Sequence, residues 1–242
     1  MRQLGVTSFA NQRAVKRVIE MKRILLWSSS VALLSIFLTS AIVIPPANVS
    51  ASDQEARFPQ LKMEDLTGEQ RSLAEQIVKV SSRGITGPYN SMLRSPAMGE
   101  RLFMLLDYVR FHTSVPRRLN EFAILIQARL WTSQVEWTAH YPLALKAGLA
   151  QSVADDLKVG NRPASMQPDE AVVYDLCNEL STKHKVSDAT FKRARAIFSD
   201  QQLVDLAAVS GAYVTTAMLL KTANEEGATP GEAPPLQPLP DK

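Results

Sequence analysis

From Asp65 to Ala223 the apolar residues recur three and four positions apart and rarely alternate strictly with polar ones. That period fits helices with one buried face, whereas a half-buried strand requires alternation. The chain is therefore expected to be all-α. Thr67 stands as a cap before Glu69-Gln70, with Leu73, Ile77 and Val80 on one side, so the first helix is expected over 67–80. The stretch 82–90, with Gly84, Gly87 and Pro88, reads as a loop. Ser95-Pro96 opens the next helix, a cap followed by proline at the first helical position. Its face runs through Met98, Leu102, Leu105, Leu106 and Val109, and it is expected to end near His112, before Pro116. Further helices are expected over 117–131, 133–147 with Gly148 as the stop, 149–157, 168–182, 187–198 and 201–223. The last is long and apolar.

Ahead of this region, Met21-Lys22-Arg23 precedes an apolar run from Ile24 to Ile44, the basic and hydrophobic segments of a secretory signal. Pro45-Pro46 ends the run, and Val49-Ser50-Ala51 offers small residues to a signal peptidase, so cleavage is expected after Ala51. The protein is then exported, periplasmic or secreted, with no stable membrane insertion. An uncleaved N-terminal anchor is the alternative, since the run approaches the roughly 20 residues that span a bilayer. Six of the 27 basic residues but only one of the 24 acidic residues precede Ser52, leaving a formal charge of about −2 on residues 52–242. The high pI belongs to the leader. Without a cluster of Lys and Arg interleaved with aromatics, nucleic acid is not an expected partner. Residues 52–224 are long enough for one domain with its own core.

A single cysteine, Cys177, excludes an intramolecular disulfide, a Cys-x-x-Cys redox pair and a cysteine-built zinc site. Between Leu176 and Asn178 on an apolar-patterned helix, it reads as a small buried hydrophobe. Acid–base residues concentrate elsewhere, in Glu121 and in Glu136-Trp137-Thr138-Ala139-His140. On a helix Glu136 and His140 are i, i+4 neighbours, and Ser133, Ala144 and Ala147 continue the same face. A carboxylate beside an imidazole makes a usable proton relay, although the same spacing also serves a plain surface pair. His112 at a helix end and His184 between Lys183 and Lys185 have no ligand spacing to His140. No metal and no cofactor are expected.

With Glu121 on one helix, Glu136-Trp137-x-x-His140 on the next and Ala144-x-x-Ala147-Gly148-Leu149 after it, the chain resembles the carboxymuconolactone decarboxylase-like family. That family shares its fold with the alkylhydroperoxidase-D-like proteins. The resemblance extends from Gly87-Pro88-Tyr89-Asn90 through Val204-Asp205-Leu206 and Gly211-Ala212-Tyr213. It implies an all-α alkylhydroperoxidase-D-like bundle assembled as a homo-oligomer, a trimer or hexamer. Glu121 and His140 match the family's relay carboxylate and imidazole, while Ser133 and Glu136 stand where its peroxidase branch carries Cys-x-x-Cys. A hydroxyl forms neither a sulfenic acid nor a disulfide, so thiol peroxidase chemistry is not expected at these positions. The resemblance instead implies a cofactor-free lyase or decarboxylase acting on a small carboxylated or lactone-like substrate, with His140, Glu121 and Glu136 catalytic. Arg94 and Arg110 would meet the substrate's charge, and Tyr89, Asn90, Ser133 and Tyr213 would supply polar contacts, with Trp137 as a wall. A peroxidase activity inherited from the fold and a non-catalytic exported ligand-binding protein are the alternatives.

The tail, residues 225–242, is rich in Pro, Gly, Ala and Glu and favours extended chain over helix. It is expected to be either disordered or an arm laid across a neighbouring subunit.

Overall fold

The computed structural model describes residues 56–225 and 233–239. The leader, its apolar run at 24–44 and the cleavage point after Ala51 lie outside the described residues. Among the described residues the chain forms a short 3-10 turn at Met63–Asp65 and nine α-helices. They are α1 (Gly68–Val80), α2 (Pro88–Met92), α3 (Pro96–Phe111), α4 (Arg117–Leu130), α5 (Gln134–Lys146), α6 (Gln151–Lys158), α7 (Pro168–Lys183), α8 (Asp188–Arg195) and α9 (Asp200–Ala223). No strand occurs among these residues.

The helix ends follow from local chemistry. Thr67 and Gln70 form a reciprocal capping box at the start of α1, as Ser199 and Gln202 do for α9. The segment expected to be a loop over 82–90 already contains the start of α2. Gly87, at φ +62°, turns the chain, and Pro88 occupies the first helical position, where its missing N–H costs nothing. Helix α8 stops at Arg195, short of the expected 198, and Phe198 packs into the core from the following turn.

Helix α4 is the axis of the molecule. Every residue from Leu119 to Arg129 is buried, and α4 packs against α5, α7 and α9. Its apolar residues, among them Phe122, Leu125 and Ile126, meet Trp137, Val173, Leu176, Leu206 and Val209 in one continuous core. A second, smaller cluster of Leu73, Ile77, Leu93 and Phe103 joins α1 to α3. Gly99 permits that junction, because a Cβ there would collide with the Met92 carbonyl oxygen. Helix α9 is long and apolar enough to cross a membrane, but half of that apolar stretch is buried inside the bundle. Leu206, Val209, Ala217 and Leu220 are its core residues.

Of the tail, residues 233–239 dock on their own chain. Leu236 joins the main core, and its backbone N–H donates to Gln134 Oε1 at 2.7 Å. The Gln237 carbonyl accepts from the buried Arg129 guanidinium at 2.8 Å, and Arg129 also donates to the Lys158 carbonyl and the Thr132 hydroxyl. Burial lowers the Arg129 pKa from the usual arginine value, so the carbonyls that solvate it carry weight. Removing residues 226–242 is expected to lower the melting temperature by several degrees with helix content retained. Leu236→Ala alone should cost about 2 kcal/mol in denaturant titration. Unchanged melting of both variants would contradict this docking.

Candidate functional site

Glu121 lies one turn inside α4 with no room to reach water, being 3 % exposed. Its Oε2 accepts from His140 Nδ1 at 2.7 Å, across the α4–α5 contact. The second oxygen, Oε1, lies 3.8 Å from Arg117 Nε. The carboxylate on Nδ1 thus comes from a residue nineteen positions earlier, the one that the resemblance pairs with His140. A carboxylate accepts only, so the imidazole proton belongs on Nδ1. Nε2 of the neutral ring is then an acceptor, and the Tyr213 hydroxyl of α9 stands 3.1 Å from it. The two rings meet edge to face at 5.0 Å between centroids. Burial pushes the Tyr213 hydroxyl well above its ordinary pKa, opposed by Arg110 and reinforced by the charges of Glu121 and Glu136 and by Tyr89. The phenol stays protonated and able to donate.

His140 and Tyr213 form part of the wall of a cavity of about 930 Å³. Glu136, Thr138, Pro142 and Leu143 of α5, Arg110 and Leu106 of α3, Tyr89 and Asn90 of α2, Thr216 of α9 and the connection from Val80 to Pro88, with Arg83, also line it. Pro142 is inside α5 and cannot donate to the carbonyl one turn back, so the Thr138 carbonyl lacks its helical donor beside the site. A strap of residues 56–60 adds Ala56, Phe58 and Gln60 to the wall. Asn90, almost fully buried, holds the strap: its Nδ2 donates to the Phe58 and Pro59 carbonyls and to Glu225 Oε1, and its Oδ1 accepts from the Leu61 N–H at 3.0 Å. Arg57 adds a backbone bond to the Ala223 carbonyl at 2.7 Å.

Of the residues expected from sequence, the fold brings His140, Glu136, Arg110, Tyr89, Asn90 and Tyr213 to the cavity and sets Glu121 directly behind His140. Three others lie outside the cavity wall. Arg94 donates to the Pro59 carbonyl and stacks over Phe58 at 5.0 Å, so it secures the outside of the strap. Ser133 is the buried residue preceding α5, and Trp137 is wholly buried in the core against Tyr141. Trp137 falls one position past Glu136, which turns it from the cavity into the bundle. Sequence reasoning missed the strap, Thr216 and Glu225, whose only connection to the motif is through the tertiary fold. Among the described residues Arg110 forms no ion pair with a carboxylate, and its Nε is buried without a hydrogen-bond partner. Its guanidinium lies over the Phe111 ring at 4.8 Å. Among the described residues no three His, Cys, Asp or Glu side chains are grouped to hold a metal ion.

Two solved structures share this arrangement of helices. One is the alkylhydroperoxidase AhpD core of an uncharacterized peroxidase-related protein from Ralstonia eutropha JMP134, with TM-score 0.59 and 18 % identity over 73 % of this chain and 93 % of that one. The other is an uncharacterized peroxidase-related protein from Silicibacter sp. TM1040, with TM-score 0.57 and 13 % identity over 73 % of this chain and 96 % of that one. The fold is AhpD-like. No family model matches the sequence, and no curated protein matches it. At such identities the AhpD-like fold is what the likeness carries, and activity has to be argued from the site.

Cys177 lies apart from this AhpD-like cavity. It is completely buried, accepts from the Ser210 hydroxyl, and burial raises its pKa to about 11. The folded protein should give no reaction with an aromatic disulfide reagent at mildly alkaline pH, and a single thiol should appear on denaturation. Rapid labelling of the native protein would contradict the assignment.

Proposed function

We propose that the protein is a cofactor-free lyase of the decarboxylase type, similar to the carboxymuconolactone decarboxylase-like branch of this fold. Its substrate is a small carboxylated or lactone-like compound. The observation that carries this reading is the buried Glu121–His140 hydrogen bond at a cavity that Arg110 also lines, with no carboxylate paired to it among the described residues. Decarboxylation of such a compound breaks the bond to the carboxylate carbon and moves its electron pair into the conjugated lactone carbonyl. Carbon dioxide leaves, and a proton must then reach carbon. His140, oriented by Glu121, supplies the proton-transfer group, because imidazole titrates nearest neutrality of all side chains. Arg110 attracts the anion and stabilises the charge that develops on the carbonyl oxygen. Glu136 adds a negative wall that disfavours a second anionic group beside His140.

The peroxidase-related descriptions of the two similar structures favour a second reading, reduction of a hydroperoxide. Such a reaction needs two electrons. Neither Ser133 nor Glu136 can give them, and Cys177 is sealed in the core. A non-catalytic ligand-binding role is the third reading, supported by the volume of the cavity alone. We also propose export after cleavage of the leader, and association of copies through α3, where Met104, Leu105, Tyr108 and Phe111 are exposed near Val204 of α9.

The test is turnover of unsaturated five-membered lactones carrying a carboxylate, followed by carbon dioxide release. His140→Gln should lower kcat by roughly 10²- to 10⁴-fold. Arg110→Met should raise KM by about tenfold or more, the loss of one charge-assisted contact. If His140→Gln matched wild type on every member of the panel, the lyase reading would fail. Consumption of hydroperoxide that depends on added dithiol would replace it with the peroxidase reading.

A further inference from the structure

We propose that Tyr213, and not His140, is the catalytic residue whose atom meets the ligand, with His140 deciding whether that atom presents a lone pair or a proton. The inference rests on the lyase reading for its reaction and on geometry for its residues. Both ring nitrogens of His140 are already engaged, Nδ1 by Glu121 at 2.7 Å and Nε2 by Tyr213 at 3.1 Å. An imidazole so held has no free nitrogen to offer a substrate. The next atom in the chain is Tyr213 Oη, and Tyr213 is itself part of the cavity wall.

Two proton states follow. With neutral His140, the Tyr213 O–H donates to Nε2, and the oxygen lone pair remains for the cavity. A ligand proton can then pass to Oη while the tyrosine proton passes to Nε2, leaving a neutral tyrosine and an imidazolium facing the Glu121 carboxylate. No net charge accumulates on tyrosine. With protonated His140, Nε2–H donates to Oη, and the tyrosine proton is released toward the cavity as an acid. Carbon protonation after carbon dioxide leaves uses that second state: Oη gives its proton to carbon, takes one from Nε2, and the ring returns to neutral. The proton is replenished from water.

The surroundings suit this use. The charges that act on the hydroxyl come from Arg110 of α3, Glu121 of α4, Glu136 of α5 and Tyr89 of α2. The carboxylates and the burial oppose a free tyrosinate, so the phenol acts by concerted exchange and does not ionise. Glu121 holds the other ring nitrogen at 2.7 Å and so fixes the ring in the orientation that the exchange requires.

The experiment uses protein labelled at the histidine ring nitrogens. The chain has three histidines, and the exposed His112 and His184 are assigned by His112→Gln and His184→Gln, which leave the site intact. At mildly alkaline pH, His140 should carry its proton on Nδ1, with Nε2 resonating as a hydrogen-bonded acceptor. Tyr213→Phe should move the Nε2 resonance by several parts per million toward that of a free acceptor nitrogen and leave Nδ1 nearly in place. In turnover of the lactone panel, Tyr213→Phe should lower kcat by about 100-fold with KM little changed, and adding His140→Gln should lower it no further, since the two act as a unit. A proton on Nε2 in the wild type, an Nε2 resonance indifferent to Tyr213→Phe, or full turnover by Tyr213→Phe would each overturn the proposal. The wild-type tautomer decides even if Tyr213→Phe fails to fold. Should wild type turn over no member of the panel, the lyase reading falls while the nitrogen resonances still decide the relay.

Discussion

A helix buried on every side has to satisfy its polar residues inside the protein, and α4 carries four of them through its buried length: Asn120, Glu121, Gln127 and Arg129. Each reaches a different neighbour. Asn120 donates to the Val109 carbonyl of α3, Glu121 accepts from His140 of α5, Gln127 accepts from Ser181 of α7, and Arg129 donates to the end of α6 and to the tail. An unpaired polar group in such a place costs roughly 1–3 kcal/mol, so these bonds hold the surrounding elements in register more strictly than apolar contact would. The arrangement of the bundle around α4 is thus tied to the same helix that supplies the site's carboxylate.

The candidate site inherits its order from that constraint. Glu121 is fixed by the packing of α4, His140 is fixed by Glu121, and Tyr213 arrives from α9, which packs on α4 directly. None of the three depends on a surface loop for its position. The strap is held differently, by Asn90 through bonds to the Phe58, Pro59 and Leu61 backbone and to Glu225, by Arg94 on the Pro59 carbonyl and the Phe58 ring, and by the Arg57 N–H on the Ala223 carbonyl.

The helices were legible in the sequence because their signals are local. Period, the Thr67 and Ser95-Pro96 openings and the Gly148 stop each act within one or two turns, and the observed helices follow them to within a few residues. Gly87-Pro88 misled because the same pair marks a turn and starts a helix. His140 and its two candidate carboxylates were recognisable as chemistry, Glu136 by helical spacing and Glu121 by the resemblance, and packing sets Glu121 on His140 Nδ1. Arg94 and Trp137 illustrate the limit of proximity in sequence: each lies beside cavity residues, and each side chain turns toward another partner. The tail's docking was not legible, since Arg129 reads as a helix-surface residue until its burial is known.

The AhpD-like frame of this chain carries a single cysteine, buried in the core, and what lines the cavity is a Glu–His–Tyr chain together with a guanidinium. Whether that chain is a working site is tested most directly by a crystal structure of the protein soaked with a carboxylated unsaturated lactone. The account expects ordered ligand in the cavity, with its anionic oxygens on Arg110 and its reacting carbon beside Tyr213 Oη. Ligand found only on the outer surface at saturating concentration, with the cavity filled by side chains, would contradict it.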